Sequence, residues 1–184
     1  MLDSYNSVMN EINEPKKDYC QPRHTAEHIL NQTMCRMFNC GRSVNAHIEP
    51  KKNCKCDYKI DTTYLEKQGN QWLLPESKLT EITEKVNYII SQNLPITTLF
   101  VSQKEASDKW GALIDLSRLP EDATDTLRIV LVGDYDICPC IGSHVENTSE
   151  IGSFSIAGQE WKSDPEDISN TKGYLRLRWK VLYK

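Results

Sequence analysis

The stretch P-R-H-T-A-E-H-I-L-N-Q-T-M-C-R-M-F at residues 22–38 predicts an α-helix with two different faces. At about 100° per residue a mainly apolar set of side chains falls on one face of the helix, which carries Ala26, Ile29, Leu30, Thr33, Met34 and Met37. The opposite side carries His24, His28, Asn31 and Cys35. The apolar side therefore has to pack against another layer of the fold, while two imidazoles one turn apart project from the other side.

The remainder of the chain alternates between strand and helix patterns. We expect strands at Cys56–Asp61, Ile96–Ser102, Leu127–Val132 and Phe154–Trp161, a helix opened by Pro75 with a stripe of Leu79, Ile82, Val86, Ile89 and Ile90, and a short helix at Lys104–Leu113. In the last strand Leu175, Leu177, Trp179 and Val181 alternate with Arg176, Arg178 and Lys180, which directs apolar groups to the core and cations outward. This order predicts an α+β fold with helices packed on a mostly antiparallel sheet. Residues 1–20 would form an N-terminal arm or lead-in helix, and residues 21–184 one domain.

Composition limits the classes of protein to consider. A chain of 184 residues with 39% hydrophobic residues is long enough for one globular core. No apolar run approaches the ~18 residues of a membrane helix, so no membrane partner is expected. The start of the chain has no secretory pattern, and the seven cysteines are irregularly spaced. Reduced thiols or metal ligands, and a cytoplasmic location, are therefore expected rather than a disulfide framework.

Charge is unevenly distributed along the chain. The net charge of −4 argues against strong, indiscriminate nucleic-acid binding. Five basic residues and no acidic one lie between Lys172 and Lys184, however, and a second basic run begins at Lys51. Such patches are either solvated surface or phosphate contacts. Our candidates for contacts with the phosphate backbone are Arg176, Arg178, Lys180, Lys51 and Lys52.

A second cluster of metal-binding residue types lies far downstream. Cys140 and His144 form a Cys-x-x-x-His pair, and Cys140 is 112 positions beyond His28. Three imidazoles and a thiolate suit Zn²⁺, so a folded domain that unites His24, His28, Cys140 and His144 would bind this metal. Four protein ligands would close a structural site, whereas catalysis needs an open or exchangeable position. The sequence leaves both possibilities open.

Two other metal sites compete with this one. His24 to His28 also reads H-x-x-E-H, a pattern in which Glu27 would be the general base of a metallopeptidase with an acidic third ligand elsewhere. A thiol-only site is the other alternative, formed by Cys54, Cys56, Cys138 and Cys140.

The two clusters resemble a known family. H-T-A-E-H at 24–28 and C-I-G-S-H-V-E-N-T-S-E-I-G-S-F-S-I at 140–156 are similar to the editing domain of alanyl-tRNA synthetase and its free-standing AlaX-type relatives. The family patterns are H-T-A-x-H, C-G-G-T-H-V and T-x-x-I-G-x-F-x-I. The resemblance spans about Arg23 to Val181. The threonyl-tRNA synthetase editing domain shares both ligand pairs, but the second string favours the alanine branch. The resemblance implies the α+β fold common to these editing domains.

The resemblance also implies an activity and roles for residues. It implies zinc-dependent trans-editing, in which serine or glycine is hydrolysed from mischarged alanine tRNA, with His24, His28, Cys140 and His144 as the metal ligands. Further candidates are Glu27 and Thr25 as catalytic groups, and Asn45, His47, Gly142 and Ser143 as substrate-binding groups. No P-loop or G-x-G-x-x-G is visible, so neither ATP binding nor aminoacylation is expected. A non-catalytic, zinc-stabilised RNA-binding module is the alternative.

Overall fold

The structure, a computed structural model, describes residues 15, 19–48, 52–111, 113–167 and 169–183. Its helices are α1 (Gln21–Phe38), α2 (Glu76–Ser91) and α3 (Gln103–Trp110). Its strands are β1 (Asn45–His47), β2 (Cys54–Tyr58), β3 (Glu66–Gln68), β4 (Gln71–Leu73), β5 (Ile96–Ser102), β6 (Thr126–Val132), β7 (Asp136–Pro139), β8 (Ser153–Ser163) and β9 (Gly173–Leu182). Every pairing between these strands is antiparallel. The predicted α+β class is confirmed.

The main sheet has the order β1-β2-β9-β8 and carries the larger core on its inner face. The apolar residues of β9 point inward as predicted, and Leu175, Leu177 and Trp179 are completely buried. Helix α2 packs on β8 and buries the five residues of its predicted stripe. Burial of large aliphatic and aromatic side chains is the main stabilising contribution here, about 1.5–3 kcal/mol for each side chain that is fully removed from water.

A smaller sheet, β5-β6-β7, covers the other side of α1. Helix α3 follows β5 and begins with a capping box between Ser102 and Glu105. Because α1 contacts both β9 and β7, its polar side is buried as well. His24, His28 and Asn31 are exposed by only 6%, 2% and 2%. The two-faced helix is thus an interior helix whose polar side faces a second layer of protein.

Helix α1 begins and ends where local chemistry requires it. Pro22 lies in its first turn, where a missing N–H costs nothing and a fixed φ favours the helix. Asn39 terminates it in the left-handed region at φ 47°, a conformation that asparagine tolerates better than most residues.

Several short elements were not predicted. Strands β1, β3, β4 and β7 have only three or four residues, too few to show a period. The N-terminal arm lies outside the described residues except for Pro15, Tyr19 and Cys20, so the domain boundary at residue 21 stays a prediction. Lys51 also lies outside them. Among the described residues, no helix is both long enough and apolar enough to cross a membrane.

Candidate metal centre and the adjoining cavity

Four side chains from the two distant motifs meet beside α1. His24 and His28 come from the helix, and Cys140 and His144 from the segment that follows β7. Their potential ligand atoms all lie within 4.8 Å of one another, and Cys140 Sγ is 3.5 Å from His24 Nε2. Antiparallel pairing of β7 with β6 carries the second motif back across the helix. These residues could therefore hold a single metal ion.

Hydrogen bonds to the outer nitrogens orient the two imidazoles of α1. His24 Nδ1 lies 3.0 Å from the backbone oxygen of Ser143, and His28 Nδ1 lies 3.0 Å from Asp136 Oδ2. Both oxygens are acceptors, so each Nδ1 carries the proton and donates. The Nε2 lone pairs are then free to point at the centre, as metal-ligating histidines require.

Thr25 does the same for the third imidazole. Its hydroxyl donates to Gln21 O at 2.9 Å, and its oxygen can then accept from His144 Nδ1 at 3.1 Å and from the Val145 amide at 3.3 Å. Thr25 is completely buried and does not line the cavity described below. A catalytic role for Thr25 stays a prediction, and its position suits it to orient His144.

The electrostatics of the centre fit a cation. His144 Nε2 is buried with no hydrogen-bond partner among the described residues, and burial lowers the pKa of His144 to about 4. Burial alone would raise the pKa of the Cys140 thiol, but the adjacent imidazoles of His144, His24 and His28 outweigh it and hold that pKa well below 9.0. The Cys140 thiolate and the neutral His144 imidazole are forms in which Zn²⁺ binds these side chains.

Asp136 and Arg42 complete the support of His28, and the sequence interpretation missed both. The Arg42 guanidinium donates to both carboxylate oxygens of Asp136, at 2.6 and 3.2 Å. Burial would raise the pKa of Asp136, but Arg42 and His28 outweigh it, and the pKa lies below its usual 3.8. The available signal was a carboxylate four positions before Cys140 in the otherwise uncharged β7.

Gly142 and Ser143 lie behind the centre. A Cβ at Gly142 would be 2.4 Å from His24 Cε1 and 2.9 Å from Tyr19 Cδ2, so only glycine leaves room for the His24 ring. Ser143 contributes its backbone oxygen to His24, as described above. Neither residue lines the cavity. Contact of these two residues with substrate stays a prediction, and in this structure both support His24.

A cavity of about 330 Å³ opens beside the centre. Its lining includes His24, His28 and Cys140, together with Tyr19 and two further sets of residues. The polar set comprises Glu27, Asn31, Arg42, Ser43, Asp115, Arg118 and Cys138, and the apolar set Val44, Ala46, Ile48, Leu113, Ile114, Leu119, Ile137 and Pro139. This volume is at the lower end of the range for ligand pockets, about 300–1,000 Å³. It suits a small ligand.

Asn45 and His47 do not line this cavity. Side chains alternate between the two faces of a strand, and the β1 segment turns Val44, Ala46 and Ile48 toward the cavity. Asn45 and His47 are exposed and pair in register with the outward-facing residues of β2. Their role in recognising substrate stays a prediction, and the structure places neither side chain in the cavity wall.

The two competing metal sites do not match the geometry. Within the described part of the chain, the group that could hold an ion contains no carboxylate, and Glu27 is instead hydrogen-bonded to Asn31. The described residues therefore offer no acidic third ligand for the metallopeptidase alternative. Cys56 accepts a hydrogen bond from Trp179 Nε1 at 3.3 Å and lies with Cys54 in β2, apart from the group that contains Cys140. The thiol-only site is not assembled either.

The predicted phosphate contacts fall into two groups. Arg176 donates to both oxygens of Asp57 at 2.7 and 2.8 Å, and Arg178 is paired with Glu160. These pairs lie on the outer face of the main sheet, because the alternate residues of β9 are buried against α1 and α2. Lys180 and Lys52 are exposed, and no ion pair with either of them is found among the described residues.

Comparison with known proteins identifies relatives of the chain. Residues 127–176 match the family model for the threonyl and alanyl tRNA synthetase second additional domain. Similar proteins include the alanine–tRNA ligase of Fervidobacterium nodosum, which is 29% identical over 83% of this chain and 16% of the ligase. For that of Sulfurisphaera tokodaii the identity is 28% over 97% of this chain and 18% of the ligase. For that of Saccharolobus islandicus it is 29% over 94% and 17%.

The chain thus spans less than a fifth of the length of these ligases. The matched family residues run from β6 through Cys140 and His144 into β9. The resemblance that the two motifs indicate is confirmed. Residues 127–176 are thus similar to the threonyl and alanyl tRNA synthetase second additional domain, and most of the chain is similar to part of alanine–tRNA ligases.

Proposed function

We propose that this chain is a zinc-dependent aminoacyl-tRNA deacylase that removes serine or glycine from mischarged alanine tRNA, in trans. The observation that carries the proposal is the convergence of three imidazoles and one thiolate at the edge of a cavity of about 330 Å³. The relation to alanine–tRNA ligases supplies the substrate class. A separate hydrolytic site suits this task, because a small pocket rejects an isostere with an added hydroxyl only weakly.

Different residues would bind the metal, orient its ligands and shield the substrate. His24, His28, Cys140 and His144 would hold Zn²⁺, which when bound supplies Lewis-acid polarisation of the ester or of a water molecule. Asp136 and Thr25 keep the imidazoles in the ligating orientation. The apolar wall around Ala46 would shield the acyl group from bulk water, which strengthens the electrostatic interactions of the site.

Residues 21–184 would form the editing domain, preceded by residues 1–20 as an arm. We propose that this chain does not itself aminoacylate tRNA, and ATP-dependent charging by the purified protein would overturn that. A reducing compartment such as the cytoplasm suits seven free cysteines.

Lys180 and Lys52 are our first choice for contacts with the phosphate backbone, because no carboxylate of the described residues pairs with them. Lys51 precedes Lys52 in the sequence and stays a further candidate. Replacing Lys180 by Ala should weaken tRNA binding and reduce the salt slope by about 1. Arg176→Ala and Arg178→Ala should have smaller effects, since their guanidinium groups are already paired. A larger effect at the arginines would reverse this order.

The decisive experiment is deacylation of serine-, glycine- and alanine-charged alanine tRNA, with and without a chelator. Wild type should carry one zinc per chain and release serine or glycine faster than alanine. His28→Ala should lose both zinc and activity. Cys35→Ala is the matched control, because Cys35 lies on the same helix outside the ligand group. A zinc-loaded wild type that hydrolyses none of the three substrates would refute the proposal.

One observation favours a second candidate, a zinc-stabilised RNA-binding module. Four protein donors are enough to fill a tetrahedral shell, which is typical of structural zinc. In that case chelation should unfold the domain, and tRNA should bind without being hydrolysed at any zinc occupancy. Circular dichroism with and without chelator, beside the deacylation assay, separates the two functions.

A further inference from the structure

The cavity wall contains a buried carboxylate to which the proposed reaction assigns no role. Glu27 lies on α1 between His24 and His28 and lines the cavity with both. Its side chain is nine-tenths buried, with an exposed fraction of 8%. An ionised carboxylate in such a place is unfavourable unless something compensates its charge.

A chain of hydrogen bonds holds Glu27 in place. Asn31 Nδ2 donates to Glu27 Oε1. Asn31 Oδ1 in turn accepts from the Ser43 amide at 3.0 Å and from the Tyr58 hydroxyl at 3.0 Å. Because Asn31 uses its oxygen for these two donors, its NH₂ group is directed to Glu27. The carboxylate is thus pre-positioned in the cavity wall.

No cation of the described chain forms an ion pair with Glu27. Arg42 is a basic residue of the cavity wall, but its guanidinium donates hydrogen bonds to both carboxylate oxygens of Asp136. The cavity also borders Arg118, whose guanidinium donates to the backbone oxygens of Arg42 and Ser43 at 3.4 and 2.7 Å. A fixed, largely desolvated carboxylate beside a reaction centre is a receptor for a cationic group of the ligand.

We propose that Glu27 binds the α-ammonium group of the aminoacyl ester and so restricts the site to esters with a free amine. This rests on the proposed function, because the ester is the substrate named there. An α-amine has a pKa of about 7.7–8.0 and is largely protonated at neutral pH. The ion pair would anchor the amino acid with its ester group next to the metal-binding residues, and an N-acylated ester would be rejected.

The substrate-binding role differs from two other roles for the same side chain. If Glu27 were a general base, replacing it would lower turnover but would not change the preference for an amine. If Glu27 were only a structural partner of Asn31, replacing it would change stability alone. Glu27→Gln separates these roles, because glutamine keeps an acceptor for Asn31 Nδ2 but has no charge.

Binding of two non-hydrolysable adenosine conjugates tests the proposal. One carries serine through a 3′-amide, and the other carries the same acyl group with a hydroxyl in place of the amine. Calorimetry on the full chain, zinc-loaded and zinc-free, should give at least about 30-fold tighter binding of the amine conjugate, the lower end for one partner of a buried charge pair. Glu27→Gln should abolish this preference. Glu81→Gln, which removes a carboxylate from a surface ion pair with Lys78, should retain it.

The outcomes are distinguishable from those for the deacylase. Equal binding of both conjugates by wild type, binding of neither, or an unchanged preference in Glu27→Gln overturns the amine site. Loss of turnover in Glu27→Gln with the preference retained also overturns it and favours a general base. An amine preference without hydrolysis of charged tRNA supports the site while the deacylase fails. The wild-type comparison needs no variant, so it stands even if Glu27→Gln does not fold.

Discussion

Replacement of Thr25 by valine should lower the affinity for zinc although it changes none of the proposed metal ligands. Valine has nearly the same shape but leaves the His144 Nδ1 proton and the Val145 amide without their acceptor. Two buried donors without partners cost about 1–3 kcal/mol each. Both bonds, at 3.1 and 3.3 Å, are longer than the usual 2.9–3.0 Å. We therefore expect the lower part of that range, about 2–3 kcal/mol in total.

Zinc affinity should fall by about 10–100-fold in Thr25→Val, as is typical when the outer partner of a ligating histidine is lost. This factor corresponds to about 1.4–2.8 kcal/mol, comparable with the cost of the broken hydrogen bonds. Competition with a chromophoric chelator measures the affinity. Urea unfolding of the zinc-free protein measures the stability separately.

Thr33→Val is the matched control for this prediction. Thr33 is another completely buried threonine of α1, and its hydroxyl contacts Ile29 O and the Tyr135 hydroxyl, both at 2.8 Å. Its loss should lower the free energy of unfolding by about 1–2 kcal/mol and leave zinc affinity unchanged. A Thr25→Val protein with zinc affinity equal to that of Thr33→Val would refute the idea that Thr25 orients His144.

Three further predictions follow from the geometry. Gly142→Ala should lose zinc, because its Cβ would overlap His24, whereas Gly41→Ala, with nothing within 4 Å of its Cβ, should retain it in metal analysis after dialysis. Asp136→Asn should lower the free energy of unfolding by about 1.5–3 kcal/mol, because partly buried Arg42 loses its charged acceptor. The exposed neighbour Asp134→Asn should change the urea midpoint little, and equal midpoints would contradict the role of Asp136. Hydrogen bonds from Ser169, Lys172 and Thr171 hold the pKa of Asp167 below 3.8 in the folded protein. The ionised Asp167 therefore contributes its full stabilisation above about pH 4, and this contribution is lost as the pH falls through the pKa of Asp167 in the folded state. Tryptophan fluorescence reports on this loop through the bond between Trp161 and Asn170, and Asp167→Asn should already show the loosened state at neutral pH; superimposable fluorescence titrations of the two proteins would contradict the prediction.

Periodicity identified the elements in which one face is buried over several turns or residues. The stripe of α2 and the alternation in β9 are confirmed, because each pattern repeats long enough to reveal which side faces the core. Elements of three or four residues are too short to show a repeating pattern. Strand β7 was not predicted for that reason, and the position of Asp136 beside His28 was therefore not predicted either.

Motif spacing named candidate ligands but not their supporting residues. The chemistry of imidazole and thiolate singled out His24, His28, Cys140 and His144, and these residues do converge. Thr25, Gly142 and Ser143 were associated with them only as neighbours in the motifs. Their contacts with His144 and His24 depend on how the segment after β7 lies across α1, which no local pattern encodes.

Local sequence was enough to predict the two-faced helix, the antiparallel α+β class and a candidate set of metal donors, because periodicity and side-chain chemistry are properties of neighbouring residues. It was not enough to predict which residues face the cavity or which cations are already neutralised, because both depend on long-range contacts. Asn45 and His47 point away from the cavity because β1 pairs with β2 in one particular register, and a shift of one residue would reverse every side chain. Arg176 meets Asp57 because β9 lies beside β2 in the sheet, an adjacency that arises only when the chain folds.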